Sequence, residues 1–222
     1  MRGRDIKRYG YTSPDLFLIC TFPSKHYDID TFPAIKKHLL SFDIRRLEQT
    51  GKTYFVNDIK IKARKKTTNK WFETQDSISY WEDLSKQKII YPETTQGAYF
   101  ALDDEGFYVD KTCFFMISNT PEYLVATLSS ELFEFAYKHI FSSIELGKSA
   151  YQYNKHAFVL LPVINAANIT ADVMSQLIED VRKLKYEKSP AKRTLLSNEI
   201  DEITYSIYGI SESEKEYIKL NK

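Results

Sequence analysis

The 222-residue chain has few of the residues that build common nucleotide, hydrolase and zinc sites. It contains only 7 glycines and lacks both Gly-x-Gly-x-x-Gly and Gly-x-x-x-x-Gly-Lys-Ser/Thr, so no glycine-rich phosphate loop is expected. Gly-x-Ser-x-Gly is also absent. Its cysteines do not have zinc-finger spacing, and its four histidines are scattered along the chain. Catalysis by any of these familiar motifs is therefore not expected.

Long apolar runs are also missing, which argues against a membrane or secreted protein. The longest, such as residues 158–164, are far too short to cross a bilayer, and no apolar segment follows the charged N-terminus as a signal peptide would require. Cys20 and Cys113 lie in apolar sequence and are expected to be buried free thiols in a reducing compartment. The sequence therefore predicts a soluble, cytoplasmic protein with no membrane partner.

Charge is balanced overall but concentrated locally. The formal net charge is only +1, yet residues 60–70 carry six cationic side chains and no acidic one. This asymmetry favours a polyanionic partner, although a solvated lysine-rich strand and turn is the simpler alternative.

Hydrophobic spacing predicts an α+β fold. Continuous apolar runs predict buried strands at 15–22 and 158–164, and a further strand is predicted at 89–91. Short aromatic-rich segments predict a small antiparallel sheet from 98–102, 107–110 and 112–117, with a hairpin turn at 103–106. Helical spacing predicts helices at 32–47, 122–141, 170–188 and 195–208, the last capped by Gly209. Ser211-x-x-Glu214 predicts a short third helix in the tail. The predicted organisation is a domain over 1–165, a mixed or antiparallel sheet with flanking helices, followed by a C-terminal helical tail over 166–222.

Basic and polar side chains suited to DNA contacts occur in four parts of the chain. Lysine and arginine bind phosphates, whereas Arg, Lys, Asn or Gln on loops can read base edges. The candidate DNA-binding residues are Arg2, Arg4, Lys7, Arg8, Lys60, Lys62, Arg64, Lys65, Lys66, Lys70, Lys86, Lys88, Lys148, Tyr151, Gln152 and Lys155. Residues 60–70 are expected to anchor the DNA backbone, and residues 147–155 to decide the sequence that is read.

Two other functions stay open at this point. Asp58 and Lys60 form an Asp-x-Lys triplet for which Asp43 could supply the upstream carboxylate, as in Mg²⁺-dependent nucleases. Such triplets arise by chance in lysine-rich chains. Alternatively, the basic run could bind an acidic protein, in which case it would not prefer duplex DNA over other polyanions.

Seven segments, in this order, resemble those of the TaqI-like C-terminal specificity domain. The family occurs in adenine-specific DNA methyltransferases and in type II (IIG) restriction-modification enzymes. Two positions depart from its pattern, with Ser129 in place of asparagine and Ile164 in place of a second proline. The segments are Arg2-Gly-Arg-Asp-Ile-Lys-Arg-Tyr9, Thr31-Phe-Pro-Ala-Ile-Lys-Lys-His-Leu39, Trp71-Phe-Glu73, Lys86-Gln-Lys-Ile-Ile-Tyr-Pro92, Tyr123-Leu-Val-Ala-Thr-Leu-Ser-Ser130, Leu161-Pro-Val163 and Glu199-Ile-Asp-Glu-Ile-Thr-Tyr-Ser-Ile-Tyr-Gly209.

The resemblance implies a bacterial domain that recognises a short sequence in double-stranded DNA and positions an adenine for a methyltransferase domain or subunit. The methyltransferase motif Asn-Pro-Pro-Tyr/Phe is absent. The chain is therefore expected to be a recognition half, excised or separately encoded, without catalytic activity, metal or cofactor of its own. S-adenosylmethionine is expected in the catalytic partner. The tail is expected to pack on the domain, the catalytic partner or another protein. The resemblance does not transfer base-contacting residues, since those loops vary within the family.

Overall fold

The computed structural model describes residues 1–141, 145–146 and 150–221 of the chain. It has two compact units. The large unit comprises residues 1–16 and 82–222, and the small unit comprises residues 17–81. Both units contain helices and antiparallel strands, so the predicted α+β class is confirmed.

The strands are short and form separate antiparallel sheets. In the described residues they are β1 (Ile6–Lys7), β2 (Gly10–Tyr11), β3 (Thr53–Val56), β4 (Ile59–Lys62), β5 (Lys88–Pro92), β6 (Thr94–Thr95), β7 (Ala101–Asp103), β8 (Cys113–Met116), β9 (Glu145–Leu146) and β10 (Ala150–Gln152). The α-helices are α1 (Pro33–Leu40), α2 (Ile44–Leu47), α3 (Pro121–Leu128), α4 (Glu131–Ala136), α5 (Lys155–Phe158), α6 (Ala171–Tyr186), α7 (Pro190–Ile207) and α8 (Glu212–Asn221). A π-helical turn, Tyr137–Phe141, follows α4.

The core of the large unit is built around β5. This strand lies between β7 and β8, and every one of its residues is buried, as expected for a central strand rich in β-branched side chains. Ile89 packs in one hydrophobic cluster with Val125 of α3, Leu177 of α6 and Ile200 of α7. The helices after residue 165 therefore share a single core with the sheet.

The tail helices follow from their sequence pattern. In α6, Leu177, Val181 and Leu184 recur at helical spacing and are all buried, so one stripe of the helix faces the core. Helix α7 ends before Gly209, whose φ of +64° suits the left-handed conformation that glycine adopts without strain. The carboxylate of Glu214 accepts hydrogen bonds from both the backbone N–H and the hydroxyl of Ser211 at the start of α8. These predicted helices are confirmed.

The small unit carries a two-stranded hairpin, β3–β4, with α2 beside β4. The hairpin turns at Asn57 and Asp58, whose φ angles are +48° and +62°. Positive φ at both central residues is the conformation of a type I′ turn, which matches the twist of the flanking strands. The buried amide of Gln49 donates to the carbonyls of Lys70 and Glu73 and so ties residues 64–73 to the base of the hairpin.

Several predicted elements are wrong. Residues 15–22 are irregular instead of a buried strand, and Phe17 is 95% exposed. The predicted strand 158–164 is also absent, because Phe158 ends α5 and residues 159–164 are irregular, with Val159 and Leu160 exposed. Residues 107–110 form no strand, so the predicted hairpin between 98–102 and 107–110 is absent. Strand β7 pairs with β5. The predicted helices 32–47 and 122–141 are each divided into shorter helices. An apolar run without alternation does not specify a partner strand, which explains the first two errors.

The two thiols are free, with Cys113 buried and Cys20 half-buried. Burial raises the pKa of Cys113 to about 11, so this thiol stays protonated and unreactive at neutral pH. Among the described helices, none combines the length and apolar character needed to cross a membrane. The functional boundary predicted at residue 165 stays a prediction, since the compact units divide the chain elsewhere.

Candidate nucleic-acid interface

A cleft of about 580 Å³ lies beside the N-terminal segment of the large unit. Its lining includes Arg2, Arg4 and Lys7 from the predicted set, together with Gln96 and Tyr99. Arg4 and Lys7 are exposed, and neither has an acidic partner among the described residues. The ammonium of Lys7 lies 5.8 Å from the centre of the Tyr99 ring. The cleft thus offers two cations for an anionic ligand.

The geometry of this N-terminal segment explains its Arg-Gly-Arg sequence. A Cβ on Gly3 would lie 2.8 Å from the carbonyl oxygen of Thr112, so only glycine fits. The backbone N–H of Gly3 donates to the Thr112 hydroxyl at 2.8 Å. Arg2 is bound to Asp5 by two side-chain hydrogen bonds of 2.9 and 3.0 Å, which hold the pKa of Asp5 below its usual value. Arg2 therefore orders the turn, while Arg4 faces solvent.

Arg8, also a candidate, faces the tail helices. Its guanidinium forms two hydrogen bonds with the buried carboxylate of Asp201 in α7, at 2.7 and 2.9 Å, and its Nε donates to the carbonyl of Ser129. The same carboxylate accepts the backbone N–H of Glu131. Arg8 thus joins the N-terminus, α4 and α7, and its charge is neutralised inside the protein.

Lys88 is the most deeply buried candidate. Its side chain is 0% exposed, and its ammonium donates to the carboxylate of Asp103 and the carbonyl of Leu84, both at 2.5 Å. Asp103 in turn accepts the backbone N–H groups of Glu105 and Phe107, which fixes the turn after β7. A lysine without exposed surface cannot reach a DNA phosphate, so a structural role replaces the predicted contact in this conformation. Lys86, its neighbour, is exposed and paired with Asp83 at 2.7 Å.

The basic run of residues 60–70 has an outward and an inward part. Lys60, Lys62, Lys65, Lys66 and Lys70 are exposed. Of these, only Lys65 has an acidic partner in the described chain, with 4.0 Å between its ammonium and Asp76.

Arg64 is the inward member of the run. Its guanidinium donates to the carbonyls of Leu47, Trp71 and Glu73. These bonds join the end of α2 to the loop that follows β4. Arg64 therefore supports the surface that the lysines occupy.

The predicted base-reading segment, residues 147–155, is only partly described. Lys148 lies outside the described residues. Tyr151 is buried, with its hydroxyl 3.3 Å from that of Tyr153. Gln152 donates to the carboxylate of Glu93 at 2.8 Å, and Lys155 is exposed at the start of α5. The described part thus contributes one exposed cation.

The nuclease residues do not form an evident metal site. Both carboxylate oxygens of Asp43 are bonded to Arg45, at 2.8 Å each, and this pairing lowers the pKa of Asp43. Asp58 lies in the exposed hairpin turn, two residues before Lys60. Over residues 1–141, 145–146 and 150–221, no group of three or more His, Cys, Asp or Glu side chains could hold a metal ion.

Sequence reasoning overlooked the exposed residues at and near the tip of the hairpin. Phe55 is 74% exposed and pairs across the hairpin with Lys60, and Asn57 and Asp58 form the exposed tip. The signal was present, because two asparagine- or aspartate-type residues between short β-prone segments indicate a type I′ hairpin.

The chain is thus an α+β protein in which cations without an acidic partner in the described residues lie on a hairpin and along a cleft. Residues 1–163 match the TaqI-like C-terminal specificity domain, and the chain belongs to this family. The family seen in the sequence is thereby confirmed. Six of the seven segments lie within the matched residues, whereas the match of Glu199 to Gly209 lies beyond them and stays a prediction. The family is a non-catalytic part of methyltransferases and indicates DNA sequence recognition. A search of curated proteins finds no match.

Proposed function

We propose that this chain binds duplex DNA in a sequence-specific manner and positions the target adenine for an adenine-specific methyltransferase domain or subunit. The methyltransferase would supply catalysis and bind S-adenosylmethionine, and the pair would belong to a restriction-modification system. The family supports DNA recognition in general. Exposed cations on the small unit support the binding itself.

One observation carries the proposal. Lys60, Lys62, Lys66 and Lys70 are exposed without an acidic partner among the described residues, although the whole chain is close to neutral. Cations that are not neutralised by the protein are free to displace counterions from a phosphate backbone. Arg4 and Lys7 in the cleft of the large unit add further cations of this kind.

The proposal predicts a steep dependence of affinity on salt. Each phosphate neutralised contributes about −0.9 to the slope of log K against log salt concentration. Lys60→Ala/Lys62→Ala should therefore weaken binding to a random-sequence duplex and make this slope shallower by roughly 2 units, if each lysine meets one phosphate. Fluorescence anisotropy over a salt series measures both quantities.

A matched control removes the same charge elsewhere. Lys188 and Lys192 are exposed in the tail, outside the residues that match the family. Lys188→Ala/Lys192→Ala should leave the slope unchanged. The proposal fails if the wild-type chain does not bind duplex DNA or if its affinity is insensitive to salt. It also fails if heparin competes for the chain as well as unlabelled DNA of equal total charge does.

A further inference from the structure

The β3–β4 hairpin presents two faces of different character. The register pairs Thr53 with Lys62 and Phe55 with Lys60, so these four side chains share one face. All four are exposed. The other face carries Tyr54, Val56, Ile59 and Ile61. We call the first of these the lysine face of the hairpin.

The second face anchors the hairpin in the small unit. Ile61 is buried, and the hydroxyl of Tyr54 donates to the carboxylate of Glu48 at 2.6 Å. The anchoring is restricted to the base, because every residue from 57 to 60 is exposed. The rest of the small unit therefore does not cover the distal half of the hairpin.

The hairpin forms a sheet of only two strands, and it exposes large apolar side chains. Phe55 is 74% exposed and Ile59 is 59% exposed near the tip. Solvent-exposed apolar residues on an unpaired strand edge favour aggregation and are usually blunted by charges. Here the charges within the strands are Lys60 and Lys62 of β4, and residues 52–66 contain a single acid, Asp58, in the turn.

The dimensions suit the major groove of duplex DNA. The groove is about 12 Å wide and 8.5 Å deep and admits a two-stranded β-ribbon. Strands of four residues extend roughly 13 Å at about 3.3 Å per residue, which is enough to carry the turn to the base edges. At that depth, Lys60 and Lys62 would lie beside the phosphate walls.

The tip carries the chemistry needed to read bases. The side chains of Asn57 and Asp58 are exposed and have no hydrogen-bonding partner among the described residues. Asparagine can bond to adenine through N6 and N7, aspartate can accept from N4 of cytosine, and a phenylalanine such as Phe55 can contact the methyl group of thymine. Each contact distinguishes base pairs, unlike a phosphate contact.

We propose that the β3–β4 hairpin enters the major groove and that Asn57 and Asp58 determine part of the recognised sequence. This inference rests on the proposed function. It adds the turn of the hairpin to residues 147–155, which stay predicted to read sequence. Of the hairpin residues, the sequence predicts only Lys60 and Lys62 to contact DNA, through its backbone.

The experiment removes the side chains while preserving the turn. Glycine tolerates positive φ, so Asn57→Gly/Asp58→Gly should keep the type I′ turn. Binding sites are selected from a randomised duplex library by the wild-type chain and by the variant. The variant should lose roughly 5- to 150-fold discrimination at one or two base pairs, while its salt slope stays unchanged.

His26→Gly is a matched control, since His26 is also exposed in the small unit with a φ of +49°. It should select the same site as the wild type. An unchanged site for Asn57→Gly/Asp58→Gly overturns the inference and leaves the proposed function intact. A wild-type chain that binds DNA without sequence preference contradicts both, since the proposed function is sequence-specific. Absence of duplex binding by the wild type contradicts both.

Discussion

At the scale of single residues, the environment of a cation distinguishes a role in DNA binding from a structural role. Arg8 and Lys88 have buried carboxylate partners, Asp201 and Asp103, whereas Lys60 and Lys62 have none in the described chain. An ion already paired and desolvated inside the protein does not release counterions from DNA. Arg8 and Lys88 are therefore expected to have structural roles and not to bind DNA.

Arg8→Met tests this assignment. The change leaves the Asp201 carboxylate buried without its guanidinium, so we expect the free energy of unfolding to fall by about 3–5 kcal/mol. Urea denaturation measures the change. Arg8→Met/Asp201→Leu removes both charges and should recover much of the stability, because replacing a buried pair by apolar groups is often neutral.

The same variants distinguish the structural role from DNA binding. Folded Arg8→Met/Asp201→Leu should bind random-sequence duplex with the wild-type salt slope. A slope shallower by about 1 unit would return Arg8 to the DNA-binding residues.

The sequence predicts a cluster of positive charge at the site, but it does not predict the role of each residue there. Residues 60–70 stand out by composition, since six cations occur without an acid. The partner of Arg8 lies in α7, 193 positions along the chain, and only the tertiary fold brings the two together. Local sequence likewise does not reveal that Arg64 is directed at three backbone carbonyls while its neighbours Lys65 and Lys66 face solvent.

At the scale of elements, a buried amide helps Arg64 to hold the loop after β4. The Gln49 side chain donates to the carbonyls of Lys70 and Glu73 and accepts the hydroxyl of Thr67 at 2.6 Å. Removing one partner of buried hydrogen bonds leaves the others unsatisfied. The loop holds Lys65, Lys66 and Lys70 in place through these bonds.

Gln49→Leu should therefore cost about 1–3 kcal/mol and increase amide exchange in residues 64–73. We also expect weaker duplex binding, although no charge is removed, because the lysines of the loop lose their fixed positions. Gln87→Leu is the control, since Gln87 is exposed in the large unit. Unchanged exchange in residues 64–73 for Gln49→Leu would contradict the role of this amide.

Predictability differed between kinds of element for a physical reason. The tail helices were predicted because apolar residues such as Leu177, Val181 and Leu184 recur every three or four positions, a pattern that only a helix places on one face. Residues 15–22 and 158–164 are apolar without a period, so burial in a strand was assumed from hydrophobicity alone. Strand pairing depends on distant partners, which local sequence does not specify.

At the scale of the whole molecule, the tail is inseparable from the core of the large unit. Leu177, Val181, Leu184 and Ile200 are at most 1% exposed and belong to the cluster that contains Ile89. The salt bridge of Arg8 with Asp201 and that of Arg182 with Glu122 connect the same parts of the chain. The helices after residue 165 thus complete the fold, although the family match ends at residue 163.

A chain truncated to residues 1–165 should therefore lose the native large unit. Without α6 and α7, the apolar surface around β5 has no cover, and burial of that surface is the main favourable term in folding. Hydrogen exchange at the amides of Ile89 to Tyr91 is the measurement, because it reports on the large unit even if the small unit folds alone. We expect these amides to lose their protection.

Truncation to residues 1–210 provides the control for this experiment. It removes only α8, whose one buried residue among those described is Ile218, so the β5 amides should remain protected. If the 1–165 chain instead protects β5 as well as the full chain does, the tail is a separate module and is free to dock on a catalytic partner. Loss of protection in 1–165 alone means that any partner must bind the outer surface of the tail, since its inner surface is committed to the core.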